Sequence, residues 1–210
     1  MIEQKQAVAD CMNRLYQQGL TTTSGGNISL RVSDGVILLT PSATDKGRMR
    51  ADQIAEIGMD GTNHTPHLKP SGETSMHLEI YQRRHDVQAI VHAHPPMASV
   101  FAVSDRPLNV RLIAESYAII GEPAIAPYAL TGTQELADAA AGCLTGNTTC
   151  VILKNHGALT IGTDLLQAFD RMEVLENAAK INIYAHLLGP AQELNEAQRT
   201  ALDAWAGRNG

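Results

Sequence analysis

The chain has 210 residues, 44% hydrophobic and 18% charged, the proportions of one globular domain able to bury about 70% of its unfolded surface. Its formal net charge of −6 is scattered along the sequence, which argues against a nucleic-acid patch or a polybasic membrane surface and leaves small-molecule chemistry as the expectation. The N-terminus lacks the basic start and apolar stretch of a secretory signal, no run approaches the ~20 apolar residues of a membrane span, and Cys11, Cys143 and Cys150 show no CxxC spacing, so a cytoplasmic protein with buried or free thiols is expected.

Ala7, Val8, Cys11 and Leu15 recur at helical spacing within residues 3–17, and Gly19 follows as a stop signal, which predicts a first amphipathic helix. The polar stretch TTTSGGN leads into ISLRV, Asp34-Gly35 and VILLT, a pattern of two strands joined by a tight turn, with residues 24–27 in the loop that enters the first strand. Pro70 and Ser71 introduce a helix that runs to about residue 84, with Glu73 in its first turn. Residues 89–94 read as a buried strand, 98–103 and 113–120 as helices, and 132–144 as a further helix. Residues 151–153 and 158–161 form a strand pair around the turn Asn155-His156-Gly157. The longest periodic run, 164–188, carries an N-cap at Asp164 and ends at Gly189-Pro190, and a terminal helical segment follows from about residue 190. No repeat or linker divides the chain, which predicts a single α/β domain over residues 1–210.

His92 and His94 stand two residues apart at the end of an apolar strand, where alternation sends both imidazoles to one face. His156 falls in a turn after another apolar strand, and Gly157 beside it permits close backbone approach. A lone histidine next to a core strand is more often a hydrogen-bonded core residue than a ligand. Three of them at strand ends, with the carboxylate of Glu73 at a helix start, favour a metal. Three neutral imidazoles and one carboxylate suit one Zn²⁺, with Co²⁺ or Mn²⁺ as alternatives. The remaining histidines, His64, His67, His77, His85 and His186, read as surface or packing residues. His77 stands apart from these because it follows Glu73 by four residues and can share its helix face.

The segments SGGNISL, TPSATDKG, KPSGET, VHAHPP, APYALTGTQELA and LKNHGAL, in this order over residues 5–188, resemble the class II aldolase (aldolase/adducin) family, typified by L-fuculose-phosphate aldolase. The resemblance implies a three-layer α/β/α fold around a mostly antiparallel sheet and a cyclic homotetramer with sites near subunit contacts. It also implies the same four ligands, Glu73, His92, His94 and His156. Ser24, Asn27, Ser42 and Ser71 match positions that surround the substrate phosphate, and short polar side chains beside a helix start suit an anion. Two positions depart from the pattern: Ala43 stands where glycine is typical, and Gly72 where serine is, which keeps a backbone N–H but removes a hydroxyl.

The activity implied is cleavage of a ketose 1-phosphate, L-fuculose 1-phosphate-like, to dihydroxyacetone phosphate and a small aldehyde through a metal-stabilised enediolate. Glu73 is expected to double as ligand and acid/base. The family's second acid/base, a tyrosine, aligns with Ile113, so Glu115 and Tyr117 become the candidates, with Tyr128 a weaker one. The alternatives are a pentulose-5-phosphate 4-epimerase, a sugar-acid phosphate decarboxylase, or an adducin-like interaction domain, which should have lost ligands. A hydrolase reading of H-x-H lacks the Asp-His that should follow, because Pro95-Pro96 stand there.

Overall fold

A computed structural model describes residues 1–208. Seven strands form one sheet: β1 (Asn27–Ser33), β2 (Val36–Leu39), β3 (Ala55–Gly58), β4 (Ala89–Ala93), β5 (Ala124–Ala126), β6 (Cys150–Leu153) and β7 (Gly157–Gly162). Their spatial order is β3-β2-β1-β4-β7-β6-β5, and every pairing is antiparallel except β5 with β6. The helices are α1 (Ile2–Gln17), α2 (Thr74–Arg83), α3 (Pro96–Ala102), α4 (Ala114–Ile120), α5 (Gln134–Cys143), α6 (Leu165–Leu188) and α7 (Glu196–Trp205).

Strand alternation divides the interior into two cores. Ile28, Leu38, Val91, Ala93 and Ala158 face α1, α3 and α6, which contribute Met12, Leu15, Phe101, Phe169 and Met172. Ile37, Leu39, Ile90, Val151 and Leu159 face α2 and α5, which contribute Met76, Ile80, Tyr81, Leu136 and Ala140. The result is the three-layer α/β/α arrangement around a mostly antiparallel sheet that the resemblance implies.

The alternation of β4 also sets the site. Because Val91 and Ala93 enter the α6-side core and Ile90 the α2-side core, His92 is turned toward the layer that carries α2. Asn27 lies opposite His92 on β1 and therefore shares that face. The central strands β4 and β7 are both buried throughout, so the ligand-bearing end of the sheet is anchored in its fully buried centre.

Some boundaries differ from expectation. Glu73 is the N-cap residue of α2 and not in its first turn. The helix expected over 98–103 starts two residues earlier at Pro96, whose missing N–H costs nothing at a first helical position. Its exposed N–H groups are met from α6, where Glu176 accepts from Met97 N (2.9 Å) and Ala98 N (2.8 Å). The edge strands β3 and β5 carried no sequence signal: they are four and three residues long, too short for alternation to register.

Candidate metal centre

Four side chains converge where β4, the β6–β7 turn and the start of α2 meet. His92 is fully buried on β4, His94 follows the strand, and His156 sits in the turn between β6 and β7. The candidate ligand atoms of the three histidines all lie within 4.8 Å of one another. Glu73 closes the group from the N-terminus of α2, with Oε2 3.2 Å from His92 Nε2 and Oε1 3.2 Å from His156 Nε2. Close approach of the turn depends on Gly157, where a Cβ would stand 2.5 Å from Ala93 O and 2.7 Å from His94 Cδ2. From the other side the β1 entry loop is held against the cluster, because a Cβ on Gly25 would lie 2.8 Å from His94 Nδ1.

The donor set fits a cation. His92 Nδ1–H donates to Ala158 O (2.9 Å), which fixes the tautomer and leaves the Nε2 lone pair pointing into the cluster. That lone pair faces Glu73 Oε2 at 3.2 Å and His94 Nε2 at 3.3 Å. Glu73 Oε1 is buried with no hydrogen-bond partner, as is Nδ1 of His156. Lone pairs and a carboxylate crowded together in this way are mutually repulsive unless a positive centre sits among them. Burial, with the neighbouring imidazoles, lowers His94 to about 4 and also lowers His156, so both are neutral imidazoles ready to coordinate. Burial works to raise Glu73, but positive charge in the cluster, at His92 above all, with the hydrogen bond from Asn27 and then positive charge at His156, outweighs it and holds the carboxyl well below the usual carboxylate range.

The model of the Class II Aldolase and Adducin N-terminal domain matches residues 6–183. The chain belongs to this family. An L-fuculose phosphate aldolase of Methanococcus maripaludis is 33% identical over 175 residues, covering 83% of this chain and 93% of the relative. A 3-oxo-tetronate 4-phosphate decarboxylase of Haemophilus influenzae is 31% identical over 185 residues, covering 86% and 87%. Among solved structures, an L-fuculose 1-phosphate aldolase superposes with a TM-score of 0.88 at 32% identity, covering 96% of this chain and 94% of that one. The class II aldolase fold is thereby shown for this chain, while the two relatives just named carry the names of different reactions.

Of the residues matched to the family's phosphate-binding positions, several adjoin the cluster. Asn27 Nδ2 donates to Glu73 Oε2 (2.6 Å) and to Ser71 Oγ (3.1 Å), and Ser71 Oγ also accepts from Glu73 N (3.3 Å). Ser42 N donates to Lys69 O (2.9 Å), which ties its loop to the segment that leads into Ser71. Ser24 is exposed in the β1 entry loop, beside Gly25. Gly72 is exposed as well, and a Cβ there would meet nothing within 4 Å, so the departure from serine leaves open space. Ala43 adopts φ +54, the left-handed region where glycine is at ease, which explains the family's glycine and costs alanine roughly 1 kcal/mol.

Glu115 and Tyr117 are placed elsewhere within the chain. Both are on α4: Glu115 lines a cleft with Asp170 and Trp205, and the Tyr117 hydroxyl donates to Asp203 Oδ2 (2.9 Å) on α7. Tyr128 is exposed in the loop after β5, and Ile113 caps α4. Sequence reading assigned Asn27 to phosphate alone and missed its bond to Glu73. His77, the one remaining histidine set apart for sharing the helix face of Glu73, is fully buried in a polar network that reaches Glu73 through Asn27, and its partners Asn27 and Ser29 were not foreseen. The signal was available: residues 73, 77 and 81 share one face of α2, and 27 and 29 one face of β1.

Proposed function

We propose that the chain is a metal-dependent aldolase that cleaves a ketose 1-phosphate, L-fuculose 1-phosphate-like, to dihydroxyacetone phosphate and a small aldehyde. The observation that carries this reading is the buried carboxylate and three-imidazole cluster bordered directly by Asn27 and Ser71. Glu73, His92, His94 and His156 would hold one Zn²⁺ per chain, with Co²⁺ or Mn²⁺ as substitutes. When bound, the ion supplies Lewis-acid stabilisation to negative charge that develops on the substrate oxygens.

The residues of the chain do the rest. Ser24, Asn27, Ser42 and Ser71, with the backbone N–H of Gly72, receive the phosphate and fix which carbon faces Glu73. In the cleavage direction Glu73 takes up a proton from solvent and delivers it to the carbon that loses its bond; Oε1, buried without a hydrogen-bond partner, is the oxygen that can carry it. The departing hydroxyl must lose its proton to a second group. Glu115 and Tyr117 are the two candidates for it; in their own chain they face α6 and α7, so either would act only from α4 of a neighbouring subunit, in the cyclic homotetramer that the family resemblance implies.

The decarboxylase relative supports a second reading, release of carbon dioxide from a sugar-acid phosphate on the same residues. Retention of all four candidate ligands favours either enzyme over an adducin-like interaction domain. Among the described residues no helix is long and apolar enough to cross a membrane, and a cytoplasmic location accords with the use of a phosphorylated sugar. The test is a coupled assay for dihydroxyacetone phosphate release from a panel of ketose phosphates, with and without chelator. Release that chelator abolishes and Glu73→Gln lacks supports the aldolase. Carbon dioxide released from sugar-acid phosphates, with none of the ketose phosphates cleaved, replaces it with the decarboxylase.

A further inference from the structure

A chain of buried polar groups reaches Glu73 through Asn27. Asn27 Oδ1 meets His77 Nε2, His77 Nδ1 meets Ser29 Oγ at 2.6 Å, and Ser29 Oγ meets Tyr81 Oη at 2.9 Å. Ser29, His77 and Tyr81 are fully buried. Four polar side chains within a hydrophobic layer are costly unless each donor finds an acceptor, so the proton positions can be derived one by one.

The starting point is the carboxylate. An anionic Glu73 only accepts, so the group of Asn27 that touches Oε2 at 2.6 Å is the NH₂, and Oδ1 is left facing His77. Oδ1 is likewise only an acceptor, so Nε2 of His77 carries its proton. Burial disfavours the charged imidazole, and a neutral ring has one N–H, so Nδ1 is the acceptor and takes the hydroxyl proton of Ser29. Ser29 has then spent its proton, and its oxygen accepts from Tyr81 at 2.9 Å in preference to the longer 3.3 Å bond from Tyr81 to Gln88 O. All donors point the same way, from Tyr81 through Ser29, His77 and Asn27 to Glu73. Reversing any member would set two acceptors or two donors face to face. Unidirectional chains of this kind polarise each member and strengthen the last bond.

We propose that His77 is a positioning residue: its Nε2–H locks the Asn27 amide so that Nδ2 donates to Glu73 Oε2, which orients the carboxylate toward the three histidines. The inference rests on the reading of Glu73 as ligand and acid/base. It predicts a geometric asymmetry between two substitutions of similar size. In His77→Gln the side-chain amide can reach the place of Nε2 and restore a donor to Asn27. In His77→Asn the shorter amide reaches only the place of Nδ1, leaving Oδ1 of Asn27 unpaired and its amide free to turn.

Two measurements decide it. In the ¹⁵N-histidine-labelled, chelator-stripped protein, long-range ¹⁵N–¹H correlation at neutral pH, with His77 assigned through its variants, should show the neutral Nε2–H tautomer. An Nδ1–H tautomer or a protonated ring overturns the chain of donors. In the cobalt-loaded protein, followed by its visible absorption, EDTA should strip the ion about ten- to a hundredfold faster from His77→Asn than from the unaltered protein, with His77→Gln within about threefold. Equal stripping rates in variants of matched thermal midpoint overturn the positioning role and leave His77 as packing. If the unaltered protein takes up no cobalt, the metal reading of Glu73 fails and the positioning role falls with it, whereas the tautomer measured in the stripped protein still decides the donor chain by itself.

Discussion

Gly157→Ala tests how tightly the site is built. The new methyl carbon would stand 2.5 Å from the carbonyl oxygen of Ala93 and 2.7 Å from Cδ2 of His94. The first contact is with backbone in the central strand pair, where Ala93 is registered against Ala158, so no side-chain rotation relieves it. Overpacking of a rigid site of this kind costs about 1–3 kcal/mol. For a chain of this length each 1 kcal/mol lowers the melting temperature by about 2–4 °C, which gives a fall of roughly 2–12 °C. The same displacement parts His156 from His94, so metal affinity should fall about tenfold or more. Gly35→Ala is the control, since a Cβ there meets nothing within 4 Å. It should stay within about 0.5 kcal/mol of the unaltered protein. Thermal melts of the stripped protein and zinc titration against a chromophoric chelator read the two effects. A Gly157→Ala variant that melts within 1 °C of the parent and binds zinc equally, roughly as surface substitutions do, would refute the close packing assigned to the turn.

Gly72→Ser should fold without loss, because the added side chain enters open space. By returning the hydroxyl typical of the family, it should lower KM for the phosphorylated substrate severalfold with little change in kcat, as steady-state kinetics will show. Glu176→Gln removes the charge that accepts from Met97 N and Ala98 N, and should cost about 1–2 kcal/mol, seen as a melting temperature lowered by roughly 2–8 °C. Acid should destabilise the metal-free protein. His94 and His77 are lowered from 6.5 to about 4 and about 3, both chiefly by burial, so between those values and 6.5 the unfolded chain binds more protons than the folded one. Their contribution is complete above about pH 6.5 and is lost as pH falls below it; Glu73, also depressed in the folded state, adds its loss at lower pH. Melts in chelator from neutral pH downward should show a steadily falling midpoint, and a flat profile would contradict the buried neutral imidazoles.

How much of this was legible in the sequence follows from the range of the forces involved. The ligand histidines could be read because period-two alternation on β4 puts residues 92 and 94 on one face, and because His156 lies in a strand-end turn next to a glycine. Glu73 was legible from the helix start marked by Pro70 and Ser71. The two edge strands were not, since Ala55–Gly58 and Ala124–Ala126 are defined by their neighbours in the sheet and not by their own pattern. Asn27 showed only half its role: its loop position suggested an anion site, but its bond to Glu73 depends on β1 lying beside β4, a pairing across more than sixty residues that no local pattern encodes. For the same reason His77 can be placed on the face of Glu73 from spacing alone, whereas its partners Asn27 and Ser29 are set only once α2 is laid over β1. Glu115 and Tyr117 were chosen for proximity in sequence to Ile113, and α4 carries them toward α7, so any part they play depends on a neighbouring subunit.

The central claim is that Glu73, His92, His94 and His156 hold one divalent ion, and zinc titration of the chelator-stripped protein against a competing chromophoric chelator tests it most directly. One ion should bind per chain, with binding abolished or weakened by orders of magnitude in His92→Ala, His94→Ala and His156→Ala variants that remain folded. Undiminished binding in those variants, or none in the unaltered protein, would contradict the account.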